Sequence, residues 1–169
     1  FYGIDNVRAY RTDVQGVCGL IIGCTRDSSM TMYQDPIVWT GQRQLFGDSI
    51  RCFMNDSTIR EAHVMGNAFS IELMNDGEHY NQVSSKLMNA YFVDGKIRWS
   101  EAISNVLIVY YPVDDKDSSL IGLNYTETDT MRAYMTPERK LEKIWMPKST
   151  GTLYPMNQIP ADKLKLRGF

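Results

Sequence analysis

The chain has 169 residues, 43% hydrophobic and 22% charged, with a formal net charge of −2. That length holds one domain or two small ones, and the apolar share excludes global disorder. A pI near 5.7 leaves no basic footprint for nucleic-acid binding. The longest apolar stretch, residues 106–111, is strand-sized, so no segment spans a bilayer as a helix.

Ile, Val and Thr supply 34 residues against 18 for Ala and Leu. β-Branched residues pack well on pleated sheets, whereas Ala and Leu favour helices, so the composition predicts an all-β chain. It begins at Phe1, as a processed protein or an excised fragment would.

In chain order, the first segment, residues 7–13, alternates with a period of two, the strand signature. It reads apolar, Arg or Asn, small, aromatic, two variable positions, then Asp or Pro, and the same grammar returns at 50–56, 88–94 and 131–137. The small residues Ala9, Cys52, Ala90 and Ala133 stand 43, 38 and 43 apart, the mark of an internal repeat. Arg11 breaks the apolar face of the first copy, as terminal repeats often do. Between the first two copies, residues 19–23, 30–33 and 37–39 read as further strands, the last two parted by Gln34-Asp35-Pro36.

Turns follow the copies at Asn55-Asp56-Ser57, Asp94-Gly95-Lys96 and residues 136–139. A return strand then runs back: 59–71 aligns with 97–109 at an offset of 38, with Gly66-Asn67 in register with Ser104-Asn105. The third return, 141–153, puts Gly151-Thr152 near that place, and its Pro147 predicts a bulge or an edge. Residues 74–79 and the acidic 112–118 are loops. The expectation is one domain over residues 1–159 and a tail over 160–169, the tail a short helix or a frayed end. Hairpins that cannot bury a face alone must stack or close on one another. The predicted fold is therefore all-β: repeated antiparallel hairpins in an open-ended jelly roll or a folded-over sheet.

Catalytic and metal signatures are sparse. His63 and His79 do not cluster, and no nucleophile elbow, P-loop or dinucleotide fingerprint occurs. No cofactor is expected. Cys18, Cys24 and Cys52 read as small buried hydrophobes; a single Cys18–Cys24 or Cys18–Cys52 bridge is the alternative in an oxidising compartment. Trp39, Trp99 and Trp145 read as strand packing, with a sugar-stacking platform as the alternative. The ten methionines suit a surface that accommodates irregular apolar ligands.

The strand–turn–strand unit running from Gly47-Asp48-Ser49-Ile50-Arg51-Cys52-Phe53 to Gly66-Asn67-Ala68-Phe69-Ser70-Ile71-Glu72 resembles the OstA-like (LptA) family of lipopolysaccharide-transport proteins. Ser104-Asn105-Val106 echoes its end, and residues 2–10 and 122–155 also look like larger OstA-like proteins of some Gram-negative envelopes. The resemblance covers roughly residues 1–159. It implies an incompletely closed, twisted antiparallel β-jelly roll, a folded-over sheet that forms a periplasmic trough for outer-membrane biogenesis, non-catalytic, shielding the lipid A acyl chains of lipopolysaccharide. It also implies partners: other Lpt-type envelope proteins, or further copies of the chain, joined end to end by strand addition.

The lining expected from the alternation is Ile50, Cys52, Met54, Val64, Ala68, Met88, Ala90, Phe92, Ala102, Val106, Ile108, Met131, Ala133 and Met135. A one-residue slip would invert the faces. Two other readings stand beside this one. The first is a structural β-module for envelope protein–protein assembly with a sealed core. The second is a glycan-active enzyme with paired carboxylates on the aromatic face.

Overall fold

The computed structural model describes residues 1–12, 14–56 and 58–169. Asp13, which ends the first repeat, and Ser57, in the Asn55–Ser57 turn, lie outside the described residues. The strands are β1 (Tyr2–Arg11), β2 (Val14–Cys24), β3 (Ser29–Tyr33), β4 (Ile37–Thr40), β5 (Arg43–Phe46), β6 (Ser49–Asn55), β7 (Thr58–Leu73), β8 (Tyr80–Val93), β9 (Lys96–Tyr110), β10 (Gly122–Met135), β11 (Leu141–Trp145) and β12 (Thr150–Pro155). They form one twelve-stranded antiparallel sheet, so the all-β folded-over prediction holds. Four of the strands are long: β7, β8, β9 and β10 run 16, 14, 15 and 14 residues.

The long strands each serve two layers. In the first layer the order is the N-terminal end of β1, the C-terminal half of β2, then β3, β6, residues 58–65, 87–93, 96–103 and 130–135, and β11. In the second it is residues 7–11, 14–18, β4, β5, residues 68–73, 80–85, 106–110 and 122–128, and β12. Every strand that passes between layers does so at an irregularity, and these align into one crease across the sheet.

The crease is built by residues that tolerate positive φ. Asp5 and Asn6 have φ 63° and 52°, Gln34 and Asp35 61° and 55°, Gly66 and Asn67 74° and 45°, and Ser104 and Asn105 68° and 52°. Small polar residues and glycine visit this region because a short side chain relieves the Cβ clash and can bond the local backbone. Such bulges bend a strand and re-aim the residues beyond the bend, which is how a sheet turns a corner. Cross-strand bonds pin it: the Asp48 N–H donates to the Gly66 carbonyl at 2.9 Å, and the Gly19 N–H to the Gln34 carbonyl at 3.0 Å. The repeat partner of Gly66-Asn67 in the last hairpin is the break around Pro147, where Lys148 has φ 52°, not Gly151 as the alignment predicted. Gly151 already pairs with Thr126 in the second layer.

Folding the sheet brings its two inner faces together. Ile21, Met32, Ile50, Val64, Met88 and Ala102 from the first layer pack with Val38, Ala68, Val106 and Ile108 from the second, beside Cys18 at the crease. Outside the second layer lies a separate apolar cluster of Phe69, Val109, Tyr111 and Leu123. The C-terminal tail covers it. That tail forms two 3-10 turns, Met156–Gln158 and Ala161–Lys163, and buries Leu166. Gln82, 2% exposed, donates from Nε2 to the Leu164 carbonyl and accepts from the Leu166 N–H, both at 2.8 Å. The buried amide thus finds both partners in the tail's backbone.

Candidate functional site

Strand pairing sets the inner face residue by residue. Ile50 pairs with Met32 and Val64, Val64 with Met88, and Met88 with Ala102, which faces Met131. One position along, Cys52 lies opposite Ala62, Ala62 opposite Ala90, Ala90 opposite Ser100, and Ser100 opposite Ala133. In the second layer Val106 and Ile108 lie opposite Thr128 and Thr126. These pairings put the rows through Ile50, Cys52 and Val106 on one face. Ile50, Val64, Ala68, Met88, Ala102, Val106 and Ile108 close the core, with Cys52 and Met131 packed against it. Ala133 is buried, while Met54, Ala90, Phe92 and Met135 are half-buried, further from the crease.

Burial falls from the crease toward the strand ends and from the middle of the sheet toward β11 and β12. On the inner face there, Ile144, opposite Ala133, is 45% exposed, and Leu153, opposite Asn124, is 50% exposed. The interior is thus closed along the crease and opens toward the mouth, where the two layers end.

Near the hairpin tips, three bulges recur on the return strands. Met54 pairs with Ile59, Phe92 with Ile97, and Met135 with Leu141, each across a register shift. The extra residue brings Ile59, Ile97 and Leu141 onto the inner side, where strict alternation would have turned them outward. Alternation alone misses these three for that reason. It also misses the inner residues at the far ends of the second layer: Thr40 pairs with Arg43, Arg43 with Glu72, Glu72 with Asn81, and Tyr110 with Asn124. Arg43 donates to Glu72 at 2.9 Å. Arg11 also lies on this side, and its charge reaches Cys52, whose thiol burial pushes up to about 11.

The outer face of the first layer carries a polar and aromatic ladder. Asn89 donates to Glu101 at 2.9 Å and Arg132 Nε donates to it at 3.1 Å, while His63 Nδ1 donates to Asn89 at 2.7 Å. Beside them Trp99 stacks on Tyr91 at 3.9 Å and lies 6.5 Å from Tyr134. With one face of Trp99 covered by Tyr91, the indole is engaged in cross-strand packing and not laid open as a sugar platform. Glu101, the buried carboxylate of this face, is held by Asn89 and Arg132. Among the described residues no cluster of His, Cys, Asp and Glu gathers as metal ligands, and Cys18, Cys24 and Cys52 are free thiols.

No family model matches the sequence, and no curated protein does. A solved structure does resemble it: LptH, the LptA homologous periplasmic component of the conserved lipopolysaccharide transport device from Pseudomonas aeruginosa. The likeness covers 84% of this chain and 95% of LptH, with a TM-score of 0.61 at 9% identity. This chain has the LptA-type fold. At that identity the agreement lies in the backbone path, and the side chains that build the path here are this chain's own. In this version of the LptA-type fold the crease is made by Asp-Asn, Gln-Asp, Gly-Asn and Ser-Asn pairs.

Proposed function

We propose that the protein is a periplasmic, non-enzymatic carrier module that shields the acyl chains of lipopolysaccharide against the inner face of its folded sheet. The observation that carries this reading is the apolar core of the inner face on an LptA-type fold, closed at the crease and continued to the first-layer mouth by Met54, Ala90, Phe92 and Met135. Each methylene taken from water contributes about 0.8 kcal/mol, so part of one acyl chain laid between the layers dominates binding. Flexible side chains such as Met54, Met88, Met131 and Met135 adapt to chains of irregular path, which suits a carrier that must also release. The residues assigned to the lining are the same fourteen, with Met54, Ala90, Phe92 and Met135 making first contact because they are the half-buried ones.

The unpaired edges fit end-to-end assembly. β1 ends the sheet on one side, and β11 and β12 end it on the other. Exposed edges normally invite uncontrolled pairing, and a bridge module uses them as docking strands for Lpt-type partners or further copies.

A second reading, a protein–protein assembly module with a sealed core, is favoured by the closed packing of Ile50, Val64, Ala68 and Val106. Gel filtration with lipopolysaccharide micelles separates the two. The carrier reading expects co-elution, lost in Ala90→Asp with its far-UV circular dichroism unchanged. Failure of the unsubstituted protein to co-elute overturns it in favour of the sealed module.

A further inference from the structure

The mouth of the folded sheet has two unlike lips. On the first layer the inner residues nearest the strand ends are Met54, Ile59, Phe92, Ile97, Met135 and Leu141, all apolar, brought to one side by the three hairpin bulges. On the second layer the corresponding positions hold Thr40, Arg43, Glu72, Asn81, Tyr110 and Asn124, a polar row that ends at the β12 edge on apolar Leu153. The contrast is not a consequence of depth, since both sets lie at strand ends beyond the closed core. Nor is it a difference of strand type, since β8, β9 and β10 supply residues to both lips. Along β8 the inner face runs from polar Asn81 at one end to apolar Phe92 at the other, through Val83, Met88 and Ala90.

Resting on the carrier reading, we infer that the mouth binds an acylated sugar in one orientation, acyl chains against the first layer and the hydroxyl-bearing sugar along the second. A pure hydrocarbon laid across the mouth would strip water from the Arg43–Glu72 pair, Thr40 and Asn81 without replacing their hydrogen bonds, which is costly. A ligand polar on both sides would leave Met54, Phe92 and Met135 facing water. An amphiphile satisfies both lips in one orientation only.

The chemistry of the polar lip selects the headgroup. It mixes donors with acceptors: Arg43 and the Asn81 amide offer N–H groups, the Asn81 oxygen being taken by the Tyr111 N–H, while Glu72 accepts, as does the second lone pair of the Asn124 oxygen beside the Thr126 hydroxyl at 2.6 Å. Arg43 already holds Glu72 at 2.9 Å, so the lip is not a bare cationic site for a phosphate. Sugar hydroxyls both donate and accept, and match such a mixed row.

Two photo-reactive probes on the unsubstituted protein test this. Both are a synthetic acylated disaccharide, one with a diazirine at an acyl terminus and its twin with the diazirine on the sugar ring; labelled peptides are mapped by mass spectrometry. The acyl probe is expected to label around Phe92 and Met135, and the sugar probe around residues 40–43 and 72–81. Sugar-probe labelling at the first-layer lip, or equal labelling of both lips by both probes, overturns the orientation while leaving lipid carriage standing. Absence of labelling by either probe overturns both.

Discussion

Gly66 joins two demands in one residue. Its φ of 74° suits a residue without Cβ, and a Cβ added there would collide with the Asp48 carboxylate that Asn67 bonds at 3.1 Å. A β-branched residue meets both penalties, the conformational one alone being about 1–2 kcal/mol. Gly66→Val is therefore expected to lower stability by about 2 kcal/mol or more, read as a shift of the urea midpoint. Asn105→Gly, at φ 52°, is expected to leave that midpoint nearly unchanged, because glycine adopts the crease conformation freely. The thiols report on the interior in a similar way. Burial raises Cys18 and pushes Cys52 up to about 11, while Cys24 is exposed. A thiol reagent at pH 8 is expected to modify Cys24 promptly and the other two only on unfolding, since the thiolate is the reacting form. Prompt reaction of all three would contradict the closed core.

The loop between β7 and β8 is organised by Asp76. Its carboxyl accepts from the Glu78 and His79 backbone N–H groups and from the His79 ring, and these bonds hold it down to about 2. A carboxyl so lowered stabilises the fold above its unfolded value of about 3.9, and the contribution fades as pH falls toward the folded value. Asp76→Asn is expected to flatten the acid limb of thermal stability between about pH 4 and pH 2, measured as melting temperature against pH. The tail makes a larger contribution. Leu166→Ala removes a buried side chain over the outer cluster and is expected to cost about 2–3 kcal/mol by chemical denaturation. How far such elements can be read from the sequence depends on what encodes them. Period-two alternation exposes one face of a strand, so the inner rows of β6, β8 and β10 are legible. Gly66-Asn67 and Ser104-Asn105 are visible as an aligned pair, yet their corner geometry is not, because small polar residues mark ordinary turns equally well. Asp5-Asn6 is hidden for the same reason. The tail's docking is illegible because Leu164 and Leu166 stand in a short charged segment with no period to follow, and their partner Gln82 lies far away in sequence. Bulges at the hairpin tips shift parity by one residue, which conceals Ile59, Ile97 and Leu141.

At the scale of the molecule, a single sheet creased onto itself yields one shared interior and two open edges. The edge at β11 and β12 carries Leu141, Ile144 and Leu153 exposed on the inner face. If this end docks onto β1 of another copy, the double variant Leu141→Lys and Leu153→Lys is expected to shift sedimentation velocity toward monomer at concentrations where the unsubstituted protein forms larger species; identical profiles would count against that edge. The proposed carriage of lipid is face-specific on this geometry. Ala90 lies on the inner side, paired with Ala62 and Ser100, whereas the adjacent Tyr91 stacks on Trp99 on the outside. The most direct measurement is photo-crosslinking to lipopolysaccharide with a reactive side chain placed in turn at Ala90 and at Tyr91. Crosslinking at position 90 and silence at 91 is the predicted result. Crosslinking at 91 alone, or at neither position in the folded protein, would contradict the account.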